Sequence, residues 1–225
     1  PQIPVLYSGY SSWRTICHYP ASQHIPDGYA GESWGAGKRV GIIRLDEEYL
    51  YYYMVAEAQE NQADPLYFEE LKANLTSLFG HFHEPIKHLI ELSEAKEIRR
   101  SDVMAIEPLT NYSNGRVVIV GDSAHGASPN LGWSNCISIE DGAQLAQSLY
   151  VNPNSVLAAL KHYNEIRIPR NHAVQKATNQ FAEMGQLDGN WTGVRDKLLR
   201  LLPEALKKGP FELFDYEVEM DFIKQ

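Results

Sequence analysis

The sequence predicts a mixed α/β protein, an α+β mix in which a β-rich first part gives way to helices. Three observations carry that reading. Residues 5–16 and the pair 40–45 and 49–56 are rich in aromatic and β-branched side chains, with the turn Asp46-Glu47-Glu48 between the last two. Residues 117–120 (VVIV) form a wholly β-branched run bounded by Gly115 and Gly121. Beyond it the apolar spacing turns helical and stays so for most of the remaining chain.

Composition bounds the function classes. With 225 residues and 44% hydrophobic content, one large domain or two small ones can bury a core. A net charge of -9 argues against nucleic acid or an anionic membrane surface as the main partner. Two cysteines, Cys17 and Cys136, imply neither a disulfide framework nor a cysteine metal site. A reducing, cytoplasmic setting fits, with no apolar run long enough to span a membrane and no signal peptide visible. The chain begins at Pro1 rather than Met, so a preceding targeting segment or domain stays open.

Taken in order, residues 5–16 read as a strand, residues 24–38 as a Gly-rich polar loop, and residues 40–45 with 49–56 as a hairpin. The second hairpin strand, YLYYYMVA, is apolar or aromatic on both faces. One face suits a core, and the other either roofs a pocket or is covered by helices. Asp64-Pro65 opens a helix with Phe68, Leu71, Leu75 and Leu78 on one stripe and Gly80 as its stop. Pro85 opens another with Ile86, Leu89, Ile90 and Leu92. His81, His83 and His88 with Glu84 invite a metal reading. H-x-H without a further ligand motif is read here as a polar connector, and no metal is assigned. Residues 97–104 return as a strand or extended link.

Residues 117–120 predict a strand buried on both faces, as in a parallel sheet, ending at Gly121-Asp122. A carboxylate at that end of a strand can accept hydrogen bonds from sugar or polyol hydroxyls. After the irregular 123–131 segment, Cys136, Ile139, Ala143, Ala146 and Tyr150 mark a helix. Its first turn, Gly132 to Asn135, presents free N–H groups and the positive dipole end to an electron-rich ligand. Pro129 and Gly132 keep bulk away, so a flat ring could approach the backbone. His125 is read as fixing the loop rather than as a base. Asn152-Pro153-Asn154-Ser155 breaks the chain before a long helix to about Gly185, which Pro169 should kink or split. Arg167 and Arg170 flank that proline and are read as solvated or paired with nearby acids. A last amphipathic piece, residues 194–202 with Leu206 beyond Pro203, is expected to pack on the core.

One strand is not a sheet, and the chain supplies few partners for 117–120. A preceding segment, another chain, or a rearranged smaller sheet must pair with it.

Gly121-Asp122-Ser123-Ala124-His125, then Pro129, Gly132 and Glu140-Asp141, resembles the second flavin-binding motif of the single-component FAD-dependent aromatic hydroxylases, the para-hydroxybenzoate and salicylate hydroxylase type. Tyr7, Gly9, Trp13-Arg14 and Trp34-Gly35-Ala36-Gly37 upstream, and Tyr163, Arg167, Pro169-Arg170 and Arg195-Asp196 downstream, extend the resemblance over nearly the whole chain. The family usually reads Gly-x-Gly at the helix start, where this chain has Gly132-Trp133-Ser134. No G-x-G-x-x-G follows a strand, so the unit that holds the ADP half of FAD is not among these residues.

The resemblance implies a substrate-binding sheet with covering helices over residues 1–110 and the second flavin motif over 111–150. A helical region follows over 151–225, and the Rossmann-like FAD-binding fold is incomplete in this chain. It implies flavin contacts from Gly121, Asp122, Pro129, Gly132, Trp133, Ser134 and Asn135, and a substrate near Tyr10, Arg14, Tyr53 and Trp133. It further implies NAD(P)H as co-substrate and one oxygen atom transferred from O2 to a small aromatic, olefinic or otherwise apolar molecule. No side chain is assigned as catalytic, because the flavin carries the chemistry. The alternatives are a flavin-free remnant acting as a binding protein, cyclase or isomerase, and a subunit completing another chain; a homo-oligomer is left open.

Overall fold

The computed structural model describes residues 3–20, 25–65, 67–201 and 213–221. These fall into two compact units, one made of residues 7–103 with 183–196 and the other of the described residues among 1–6, 104–182 and 197–225. The mixed α+β class is observed in both.

The first unit is built on a five-stranded sheet. Its strands are β1 (Val5–His18), β2 (Ala30–Trp34), β3 (Lys38–Arg44), β4 (Tyr49–Glu57) and β5 (Arg99–Ile106), in the order β2-β3-β4-β1-β5. The expected hairpin is β3–β4, antiparallel with Arg44 opposite Leu50. Its turn is closed by the Asp46 carboxylate, which accepts from the backbone N–H groups of Glu48 and Tyr49 at 2.8 and 2.7 Å. Alternation puts Trp13 and Cys17, Leu50, Tyr52 and Met54, and Val40 and Ile42 on one buried face. Helix α1 (Phe68–Phe79) covers that face with Leu71, Leu75 and Phe79, and α2 (Ile86–Leu92) with Ile86, Leu89 and Ile90.

Three expectations for this unit are corrected. Within the stretch read as loop, Ala30–Trp34 is strand β2, paired antiparallel with β3; its composition is poor for a strand, and the pairing makes it one. Helix α1 starts at Phe68 rather than at Asp64-Pro65, because the Asp64 carboxylate is engaged elsewhere, accepting from Trp13 Nε1 at 3.1 Å. Leu92, placed on the apolar stripe of α2, is exposed. His83 hydrogen-bonds Ser33 Oγ at 2.6 Å and the Glu84 carbonyl at 2.7 Å. Among the described residues no three His, Cys, Asp or Glu side chains gather as a metal site; His24 lies outside them.

The second unit holds the Gly-Asp stretch. Residues Val117–Val118 form β7, paired antiparallel with β6 (Ser113–Asn114) in a two-stranded sheet. The strand expected to be buried on both faces is therefore short and open, with Val117 68% and Val120 40% exposed. No parallel neighbour is present among the described residues, so the small antiparallel ladder takes its place. Helices α3 (Asp122–His125), α4 (Ser134–Val151) and α5 (Val156–Gly185) follow, and α5 runs unbroken through Pro169. Helix α6 (Trp191–Leu201) spans the last amphipathic piece. Its Val194, Leu198 and Leu201 are exposed while Arg195 is buried, contrary to the expected core packing. Leu202, Pro203 and Leu206 lie outside the described residues. No described helix is long and apolar enough to cross a membrane.

Candidate functional site

The Gly-Asp turn is held from behind by one carboxylate. Gly121 has φ +61°, and a Cβ there would come 3.0 Å from Ser138 Oγ, so glycine suits both the conformation and the space. Its N–H donates to Asp141 Oδ2 at 2.9 Å, and the same oxygen is 2.5 Å from His125 Nε2. The other oxygen accepts from Arg167 Nε at 2.7 Å. Arg167 also donates to Glu140 Oε2, the Ile137 carbonyl and Asn171 Oδ1. Asp141 and Arg167 have no exposed side-chain surface, so α3, α4, α5 and the turn are locked together by a satisfied ionic network. Burial alone would raise the Asp141 carboxyl. The hydrogen bonds from His125 and Gly121, the His125 charge and Arg167 outweigh it and lower the pKa to about 2. For Arg167, burial pulls downward, but the bonds to Asp141 and Glu140 prevail and raise it.

His125 is thus a loop-fixing residue, and Arg167 and Arg170 are paired rather than solvated. Arg170 donates to both Glu140 oxygens, at 3.1 and 3.0 Å, and to the Leu213 carbonyl at 2.8 Å.

In front of the network the groups are open. Asp122 is exposed, and among the described residues its carboxylate has no hydrogen-bond partner. Pro129–Leu131 is a short 3-10 turn ending at Gly132, whose φ is +68° and above whose Cα a Cβ would meet nothing within 4 Å. Helix α4 starts without a side-chain cap at Trp133, and its ladder begins with Ile137 N–H to the Trp133 carbonyl at 3.1 Å. The amides of Ser134, Asn135 and Cys136 therefore stand at the open positive end of an 18-residue helix. An acceptor carboxylate, an open glycine at Gly132 and a row of donors suit a polyol attached to an electron-rich ring, so the residues present fit a flavin.

Two placements depart from the sequence reading. The Trp133 side chain, expected beside a substrate, is buried against Ile137 and Val174, 3.8 Å from the Phe214 ring centroid, with Arg170 over its ring. The apolar stripe read for α4 also faces outward. Cys136, Ile139, Ala146 and Tyr150 are exposed, while Ile137, Asp141, Gln144, Gln147 and Ser148 are buried. The polar side is the inner one because distant partners satisfy it, as when Ser148 Oγ meets His162 Nδ1 at 3.0 Å.

The other substrate-side residues, Tyr10, Arg14 and Tyr53, lie in the sheet unit. Tyr10 is buried. Arg14 is exposed and donates to Ser101 Oγ at 2.9 Å. Tyr53 is half-buried on β4, on the face opposite the helices. Periodicity missed Glu32 and Arg39, an ion pair on that face at 3.2 Å. The only signal available for them was two opposite charges flanking Gly-rich sequence.

Known proteins resemble this chain in sequence and fold. Residues 34–178 match a family described as FAD binding domain. The chain is 32% identical over 197 residues to an aurachin C monooxygenase/isomerase from Stigmatella aurantiaca, covering 87% of this chain and 50% of that protein. It is 26% identical over 216 residues to a 2-heptyl-3-hydroxy-4(1H)-quinolone synthase from Pseudomonas aeruginosa, covering 92% and 53%. The fold matches that of Klebsiella pneumoniae HpxO complexed with FAD and uric acid at a TM-score of 0.82 and 21% identity, over 94% of this chain and 54% of that one. The chain spans about half the length of the curated relatives it matches.

Proposed function

Because this chain belongs to the FAD binding domain family of flavin-dependent hydroxylases, we propose that it forms the flavin-ring and substrate side of an FAD-dependent monooxygenase. The observation that carries this is the open Asp122 carboxylate, one residue after Gly121, whose N–H is held by Asp141 of α4, the helix whose start is uncapped. Bound FAD, once reduced by NADH or NADPH, supplies the activation of O2 and the transfer of one oxygen atom. Asp122 would hold the ribityl hydroxyls. Pro129 to Gly132 would lie against the ring. The amides of Ser134 and Asn135, with that of Trp133 beside them, would stabilise negative charge at its pyrimidine edge. The chain's own task is to hold, orient and keep water away.

A preceding segment of the same polypeptide, carrying the dinucleotide-binding unit, completes the cofactor site in this reading. Supporting it, Val117 and Val120, just before the Gly-Asp turn, lie exposed, apolar residues suited to a further layer of sheet. The substrate is a small electron-rich aromatic, and the names of the relatives point to N-heterocycles such as quinolones. In the test, full-length protein loaded with FAD should oxidise NADH or NADPH faster, with O2 uptake, when given 2-heptyl-4(1H)-quinolone. A flavin-free protein that binds the quinolone without turnover would favour a binding protein or isomerase instead.

A further inference from the structure

The start of α4 carries a further inference, which rests on the reading that its first turn receives the flavin. Local sequence does little to fix that turn. Gly132 sits at φ +68° with open space above its Cα, and Trp133, at the N-cap position, offers the helix no side-chain hydrogen bond. A helix start without a cap frays unless tertiary contacts hold it. The residues on either side of Gly132 supply such contacts. Leu131 and Trp133 both enter a cluster with Ile137 and Val174, and Leu213 packs on the same cluster. Phe214 meets the Trp133 ring edge-on, with 3.8 Å between centroids and 77° between planes. The Arg170 guanidinium lies 5.0 Å from the centroid of Trp133 and 4.3 Å from that of Tyr216, so one cation joins the two rings. Its direction is set by Glu140, which accepts from it twice, and by the Leu213 carbonyl at 2.8 Å. Farther along, Gln147 and Asp221 exchange two hydrogen bonds, at 2.7 and 2.9 Å. Residues 213–221 are therefore tied down at both ends, to α5 and to α4.

Trp133 links this segment to the flavin side. Its backbone stands between Gly132 and the amides of Ser134 and Asn135, so a tilt of the indole turns those amides. An N–H donor weakens steeply as it leaves the line to its acceptor. We propose that residues 213–216 form a positioning strap. Phe214 and Tyr216, acting through Trp133 and Arg170, hold the first turn of α4 so that its amides meet the negative charge that grows at the pyrimidine edge of FAD on reduction. The strap thereby raises the reduction potential of the bound cofactor. Both are positioning residues, acting through others on the cofactor. Phe214 is 38% exposed, so its ring can be removed with the fold kept.

The test measures the midpoint potential of FAD bound to full-length protein, by reductive titration against reference dyes. It uses wild type, Phe214→Ala, Tyr216→Leu and Tyr216→Phe, with thermal melting as a check on folding. Phe214→Ala and Tyr216→Leu should still take up FAD, because Asp122 is untouched. They should hold reduced FAD about tenfold more weakly relative to oxidised FAD, which for a two-electron couple lowers the potential by about 30 mV. Tyr216→Phe keeps the ring over Arg170 and should keep the wild-type potential. A strap that only stabilised the fold would lower the melting temperature and leave the potential where it was. If folded, FAD-loaded Phe214→Ala and Tyr216→Leu keep the wild-type potential, the strap assignment falls and the flavin reading stands. An equal shift in Tyr216→Phe and Tyr216→Leu would also overturn the assignment. If wild type takes up no FAD, both fall.

Discussion

Asp141 accepts the Nε–H of Arg167 at 2.7 Å with both side chains fully buried, and the turn that presents Asp122 hangs on this pair. Removing the charge of Asp141 leaves Glu140 as the carboxylate still paired with Arg167. Asp141→Asn is expected to cost about 3 kcal/mol, at the low end for breaking a buried pair, because Glu140 remains. Urea unfolding at neutral pH measures it.

The same carboxyl sets an acid limit. Its folded pKa of about 2 lies below the ordinary value of 3.8, so its contribution is present above the unfolded value and is lost as pH falls through the folded one. At about 1.4 kcal/mol per pKa unit this amounts to roughly 2 kcal/mol. The stability gap between wild type and Asp141→Asn should therefore hold above about pH 5 and narrow between about pH 4 and 2. Unfolding curves at intervals across that range give the profile.

Gly41→Ala puts a methyl group into the Tyr53 ring, which must swing away or displace β3. An overpacking cost of about 1–3 kcal/mol is expected. Thermal unfolding measures it.

Trp133 ties the start of α4 to Phe214 and Arg170. Trp133→Ala should cost about 3–5 kcal/mol, as large-to-small changes in packed cores do. Amide exchange should quicken first at residues 213–221, which Arg170 and Gln147 also hold.

Much of this was legible in the sequence. The β3–β4 hairpin announced itself by two aromatic and β-branched runs flanking the Asp46 turn, and the Gly121-Asp122 turn and the α4 start by motif; of the two readings open for Arg167 and Arg170, solvated or paired, the structure shows the second. What escaped depends on partners far along the chain. Strand β2 has no strand-like composition and exists because β3 pairs with it. The apolar stripe of α4 pointed to the wrong inner face, because Asp141 and Ser148 are buried with partners on α3 and α5 that periodicity cannot see. The strand at 117–120 read as buried because its composition suits a larger sheet than the described residues contain.

The central claim is that Asp122 and the start of α4 receive a flavin, and its most direct test is FAD titration of full-length wild type and Asp122→Ala, followed by visible absorption. The Asp122 side chain is exposed and its carboxylate makes no hydrogen bond among the described residues, so its removal should leave the melting temperature unchanged. Wild type should bind FAD and turn yellow, and Asp122→Ala should bind at least about tenfold more weakly, the scale of lost charge-assisted hydrogen bonds. A wild type that stays colourless with added FAD, or an Asp122→Ala variant that binds as tightly, would contradict it.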